Sequence, residues 1–357
     1  MFKNRFLLLP FLVFITAFIL DKILLLENIQ TYFTKTMSEV NYQLKPELYE
    51  ELKQYLAKHD RKKVLVYFGN SRALLFDNEY IEKTYPQWIL YNFSVPGGSP
   101  DYTKYWLEIF KKENVRPDFI LLDESIEIYN AENRIQIDEV LLNGISVSFL
   151  LRHLDRYSSK EFSDFVSKRL FQVYKYRPKL ATIKERIEDD FRGLEMYRNW
   201  RKEIKSRLRK DRGSSSPNFM PGGVASEDQL LKFSEGDFQS YLGSFRLKKS
   251  MMAFQGESIQ LIKELQIPYS VIWVRLSRPY FSLVMNREIQ TDKGKSSAFN
   301  AWFPEMQKLH QQTTTDFWDM NRDASYSCDK FSDAGHMAPV CYKDYTDFIF
   351  TSLGKKG

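Results

Sequence analysis

The chain reads as an α/β protein: a flavodoxin-like three-layer α/β/α sandwich around a parallel sheet of about five strands, with a helical insertion and one N-terminal transmembrane helix. Three observations predict this. Short apolar runs closed by turns alternate with amphipathic stretches over residues 61–130, and the same alternation returns after residue 248. The runs are continuously apolar, as strands buried on both faces are. The first 27 residues hold an apolar stretch long enough to cross a bilayer.

In chain order, Phe6 to Leu26 is the anchor, broken only by Asp21-Lys22, whose charges are expected to reach the outer interface or pair with each other. Lys3 and Arg5 precede it, so the positive-inside rule keeps the N-terminus in the cytoplasm. The rest of the chain is then exported, as a single-pass protein of the inner membrane facing the periplasm. No small-x-small site follows the run, so an uncleaved anchor is expected rather than a signal peptide. Residues 28–60 read as a helical stalk, with Leu48, Leu52 and Leu56 on one face of its second half. Val64–Phe68, Trp88–Phe93 and Phe119–Leu122 read as strands, with helices over Ala73–Tyr85 and Asp101–Lys112 between them. Residues 61–130 form the first half of the α/β domain. Residues 131–247 read as a helical insertion without a strand, carrying a flexible Gly/Ser/Pro loop at 212–226. The second half, 248–357, holds helices at Met251–Leu265, Ala298–His310 and Tyr342–Leu353, and strands at Pro268–Leu276 and Thr313–Trp318.

The net charge of +6 is mild and dispersed, and no zinc-finger or RNA-binding pattern is present, which argues against a nucleic-acid partner. The one basic run, Arg198–Arg212, suits either a solvated helix face or an anionic lipid or glycan. Only two cysteines occur, Cys328 and Cys341, without metal-ligand spacing, so neither metal nor cofactor is expected. In an oxidising compartment they would pair and clamp the loop between them.

That loop carries Asp333-Ala334-Gly335-His336. Far upstream, Gly69-Asn70-Ser71-Arg72 follows a predicted strand. Parallel sheets gather functional groups at the carboxyl ends of their strands, so Ser71, Gly97 and the Asp123-Glu124-Ser125 stretch should converge. A serine hydroxyl becomes nucleophilic when a histidine takes its proton and a carboxylate orients that histidine. Of four histidines, His336 alone sits in a glycine-containing loop beside an acid. The bland alternatives are Ser71 as a helix N-cap and Asp333–His336 as a surface contact.

These blocks resemble the SGNH, or GDSL, hydrolase superfamily. Gly69-Asn70-Ser71-Arg72 is similar to its Gly-Asp-Ser block, Asn92-Phe93-Ser94-Val95-Pro96-Gly97 to its second block, and Asp333-Ala334-Gly335-His336 to its final Asp-x-x-His block. The resemblance covers about Val64–Ser125 and Pro268–Leu353. It implies Ser71 as nucleophile, His336 as base, Asp333 as its partner, and an oxyanion hole from the Ser71 and Gly97 N–H groups, with Gly98 as an alternative donor. Two positions depart from the pattern. Residue 70 is Asn rather than Asp, and the third-block asparagine is missing from Leu122–Glu127, leaving Asn130 as the nearest substitute. With its anchor, the chain looks like membrane-bound proteins of envelope O-acylation (alginate and teichoic acid are the polymers in question), and like an uncharacterised bacterial group with the same plan. The resemblance implies a serine esterase or O-acyltransferase acting on an envelope polysaccharide or lipid, with a membrane-bound acyl-donor protein as partner. A non-catalytic envelope binding or assembly protein is the rival expectation, and an intracellular scaffold a third.

Overall fold

The computed structural model describes residues 5–34, 37–133, 139–215 and 223–355. Lys3 of the expected charge pair, and 216–222 of the expected loop, lie outside them.

Eight strands occur among the described residues: β1 (Lys63–Phe68), β2 (Trp88–Asn92), β3 (Phe119–Glu124), β4 (Ser244–Phe245), β5 (Tyr269–Trp273), β6 (Glu288–Thr291), β7 (Gly294–Ser297) and β8 (Phe317–Asp319). Five of them form one parallel sheet in the order β2-β1-β3-β5-β8. This is the flavodoxin-like order, whose switch point lies between β1 and β3. Val66 pairs with Tyr91 on one side and with Ile120 on the other.

Both faces of this sheet are covered, which is why its strands are mostly apolar, with charged residues only at their ends. Val64, Val66, Phe68, Ile120 and Leu122 pack with Leu107 and Phe110 of helix Pro100–Lys112 and with Ile259 and Ile262 of helix Lys249–Glu264. Leu65, Tyr67, Leu121 and Ile272 pack with Tyr345, Phe348 and Ile349 of helix Tyr342–Gly354. The three layers follow from that division.

Three local expectations change. The helix read at Ala73–Tyr85 is a single 3-10 turn, Ser71–Ala73, followed by helix Asn78–Thr84. Two side-chain caps divide them: Asn70 Oδ1 accepts from Arg72 N (2.9 Å), and Asp77 accepts from Tyr80 N (3.1 Å). A small second sheet, β4-β6-β7, was not read from the sequence, and β4 lies inside the insertion expected to hold no strand. Its strand β6 alternates cleanly, with Ile289 and Thr291 inward and Glu288 and Gln290 outward. The start of the Gly/Ser loop is packed: Ser214 is fully buried, the Asn92 N–H donates to Arg212 O (2.9 Å), and the Ser215 N–H donates to Leu74 O (2.7 Å). Lys45, buried and pushed down to about 7 by that burial, donates to Asn92 O (2.6 Å) and Gly213 O (3.3 Å) in the same knot.

One helix, Arg5–Lys22, is apolar and long enough to cross a membrane. Its window Leu8–Leu25 has a mean hydropathy of 2.3 and is 11% buried. Asp21 and Lys22 pair, as expected (3.0 Å), but the Asp21 carboxylate also caps helix Gln172–Tyr176, accepting from the N–H groups of Gln172 and Val173 at 2.7 Å each. The stalk does not stand free. Arg198 donates to Asn28 O (2.7 Å), Arg201 pairs with Glu39 (2.6 Å) and Glu27 (3.2 Å), and Lys205 pairs with Glu27 (2.9 Å). Much of the Arg198–Arg212 charge is thus met inside the molecule, with Arg209 on Glu47 and Arg212 on Glu82.

Candidate active site

Strand β1 ends at Phe68, and Gly69-Asn70 turns the chain so that Ser71 opens the 3-10 turn at the sheet's carboxyl edge. The cap of that turn is Asn70, not Ser71, which frees the serine hydroxyl. His336 arrives 265 positions later, and its Nε2 lies 2.7 Å from Ser71 Oγ. Both Asp333 carboxylate oxygens lie 2.9 Å from His336 Nδ1. This fixes the tautomer: Nδ1 donates to the carboxylate, and Nε2 accepts the serine proton.

The Asp333 loop is held at several points. Oδ1 accepts the N–H groups of Gly335 (2.9 Å) and His336 (2.8 Å). The Ser332 N–H donates to His336 O (2.9 Å), and Cys328 is disulfide-bonded to Cys341 across the loop, with Cα atoms 5.6 Å apart. Burial pushes the Asp333 carboxyl up, but the His336 contact and these N–H donors outweigh it and hold it down to about 2.

The loop after β2 supplies the second wall. The backbone at Gly97 is left-handed (φ +67°), and Gly97 lines the pocket. Gly98 sits against the first wall: a Cβ there would stand 2.1 Å from Gly69 O. Its N–H donates to Val95 O (2.9 Å), so Gly98 is not an oxyanion donor. Among the described residues the N–H groups of Ser71 and Gly97 have no partner. Asn130 is also removed from the donor set. Its amide donates to Tyr241 O (2.8 Å) and Ser244 O (2.7 Å), and its Oδ1 accepts from Glu132 and Arg246, tying the insertion to β3's loop.

Ser125 reaches the site as expected, and Arg72, Glu127, Tyr280 and Asp237 join it without having been foreseen. Arg72 is buried against Glu127 (Nη2–Oε1 2.7 Å, Nη1–Oε2 3.2 Å), and its Nε donates to Gly335 O (3.1 Å), bridging the serine turn to the histidine loop. Burial disfavours the guanidinium's charge, yet Glu127 outweighs this and raises its pKa. Tyr280 donates to Glu127 as well (2.8 Å). Ser125 Oγ accepts from Asn70 Nδ2 (2.6 Å) and Arg72 Nη1 (3.0 Å). A hydroxyl has two acceptor sites and one proton, so Ser125 keeps its proton to give, and it lines the pocket. Asp237, on insertion helix Glu227–Tyr241, faces the same space with Phe233 and Tyr241; burial and the Asp333 charge raise its pKa. Arg72 stood beside Ser71 and Glu127 in the divergent third block, but their pairing across 55 positions is not a local signal.

Asp123 lies behind the serine turn, half-buried as a residue, with Oδ2 accepting the Asn70 N–H (3.3 Å) and Oδ1 buried and unpartnered. Burial pushes it up to about 7, against the pull of Arg72. His310, in the last turn of helix Ala298–Gln312, is buried, with Nε2 2.9 Å from Glu124 Oε1.

The walls enclose a pocket of about 290 Å³ with Ser71, Gly97, Ser125 and His336 on its surface. The arrangement can activate a hydroxyl, receive an acyl group and stabilise an oxyanion. Comparison with curated proteins finds no match. A family profile matches residues 1–353, and the chain therefore belongs to the family described as "Protein of unknown function (DUF1574)".

Proposed function

We propose that the chain is a membrane-anchored serine esterase or O-acyltransferase of SGNH type, acting on an envelope glycan or lipid through an acyl-serine intermediate. The single observation that carries this is the Ser71–His336–Asp333 relay, with 2.7 Å and 2.9 Å contacts in the order the chemistry requires.

In the first half-reaction Ser71 Oγ attacks the acyl carbonyl carbon while its proton passes to His336 Nε2. The oxyanion is met by the Ser71 and Gly97 N–H groups and by the Ser125 hydroxyl, which stands in for the missing third-block asparagine. Asn70 belongs to the same adaptation. Its amide donates to Ser125, whereas an aspartate there would take the Ser125 proton. The intermediate then expels the donor's oxygen or sulfur, which leaves with the His336 proton. In the second half, an acceptor hydroxyl gives its proton to His336 and attacks the ester carbonyl, and Ser71 Oγ leaves as it takes that proton back from His336. Water in that role makes the enzyme an esterase. The disulfide supports an exported domain, because such bonds persist in oxidising compartments. With the N-terminus inside, this is the periplasmic face of the inner membrane; a membrane-bound acyl donor protein fits that setting.

The test is covalent labelling of the full chain with a fluorophosphonate. Wild type is expected to label and Ser71→Ala to stay unlabelled. Failure of folded wild type to label would favour the non-catalytic envelope-binding role.

A further inference from the structure

The anchor helix is not joined to the rest of the molecule through the stalk alone. Helix Gln172–Tyr176 is fastened to its outer end by the Asp21 carboxylate, which takes two backbone N–H groups. Lys22 donates to Leu170 O, and Phe171 packs edge-on against Phe18, ring centroids 6.1 Å apart. Phe18 lies seven residues before Leu25, the last residue of the apolar window, or about 10 Å along the helix axis. A segment that touches Phe18 therefore stands beside the final turns of the span. It lies at the depth where hydrocarbon gives way to headgroups.

The surface of that segment matches this depth. Leu170, Phe171, Val173 and Tyr174 are all more than a third exposed, and Leu180 is 81% exposed. Ile19, Leu20 and Ile23 on the anchor are exposed as well, and helix Gln172–Tyr176 touches this end of the anchor. Residues 168–184 also contain six basic side chains and no acidic one, with Arg177, Lys179 and Lys184 at the surface. Exposed apolar side chains flanked by lysine and arginine are what an interfacial segment needs, since the apolar groups enter the acyl boundary and the cations meet lipid phosphates.

We propose that residues 170–184 of the insertion are seated in the membrane interface beside the anchor, so that the protein holds the bilayer by a span and an in-plane foot. The occupant is an anionic lipid surface. The alternatives, a second copy or another protein on the same patch, are outcomes of the test.

The full chain is reconstituted in phosphatidylglycerol/phosphatidylethanolamine vesicles with a nitroxide on Val173→Cys or Leu180→Cys, attached without reduction so that the native disulfide stays closed. Leu12→Cys in the span is the reference. Collision with oxygen and with a water-soluble nickel complex is read by power saturation. Oxygen accessibility exceeding nickel accessibility at both positions, toward the Leu12 value, is the expected result. High nickel accessibility at both would overturn the proposal in favour of an aqueous surface. Low accessibility to both reagents, with spin–spin broadening or without, would overturn it in favour of a protein partner. These side chains point outward, and a closed Cys328–Cys341 bridge with unchanged circular dichroism verifies folding of each variant. The readout does not involve Ser71, so it is independent of the proposed chemistry.

Discussion

Glu127→Gln isolates what the buried charge pair beneath the serine turn contributes. Glu127 is 3% exposed and accepts from both Arg72 Nη groups and from Tyr280. Burial alone would raise its pKa, but Arg72 outweighs this and lowers it, so the folded protein holds it as an anion. Glutamine keeps the shape and one acceptor oxygen and removes the charge, leaving the guanidinium, whose side chain is 10% exposed, without its counter-ion. Removing one member of a buried pair costs about 3–5 kcal/mol. Asp123 also faces this guanidinium and can ionise to offset part of the loss, which favours the lower end. At about 2–4 °C per kcal/mol, the midpoint should fall on the order of 10 °C. Thermal unfolding of the full chain in detergent, followed by near-UV circular dichroism, measures it. The double variant Arg72→Met/Glu127→Met should lose clearly less than the sum of the two single changes. A Glu127→Gln midpoint within about 1 °C of wild type, or strictly additive losses, would refute the argument that the pair acts as a unit.

Three further outcomes can be checked. Asn70→Asp and Ser125→Ala should each slow turnover of an activated ester by about 100–1,000-fold, the usual cost of one oxyanion donor, with KM little changed; a normal rate in both removes Ser125 from the chemistry. Opening the Cys328–Cys341 bridge, which spans a separation of 13 residues, should cost about 3 kcal/mol in denaturant titrations of Cys328→Ser/Cys341→Ser against wild type. It should also slow fluorophosphonate labelling, because the bridge closes the loop that carries His336. Asp123 has a folded pKa raised to about 7, so its contribution to stability is full below the unfolded value near 4 and is lost as pH rises through 7. Asp123→Asn should flatten that part of the stability–pH curve, and an unchanged slope would show that the carboxyl is not the titrating group.

The sheet was legible because its strands are short, predominantly apolar and closed by turns, a pattern that depends only on local burial on both faces. The relay was legible for a different reason: a glycine-flanked serine after a strand and an acid three residues before a loop histidine are compact signals. What the sequence withheld was pairing. Nothing local tells Arg72 that its partner is Glu127, or Asn130 that its amide will bind Tyr241 and Ser244. The same holds for Lys45, a buried lysine on an otherwise ordinary stalk helix. The small second sheet escaped because its strands have four residues or fewer, too short for periodicity to register. The caps at Asn70 and Asp77 override a helical pattern that composition alone supports.

The clasp of Arg198, Arg201 and Lys205 on the segment after the span carries a mechanical consequence. A protein on a slack leash sweeps its reactive centre through a wide shell and meets targets at many heights. Here the leash is bolted to the body it leads to, so with the span in a bilayer the serine would ride at one fixed altitude above the lipid. In the role proposed above, reach would have to come from the substrate: whatever is modified would present its hydroxyl at that altitude, and sideways diffusion in the bilayer would be the way the two find each other.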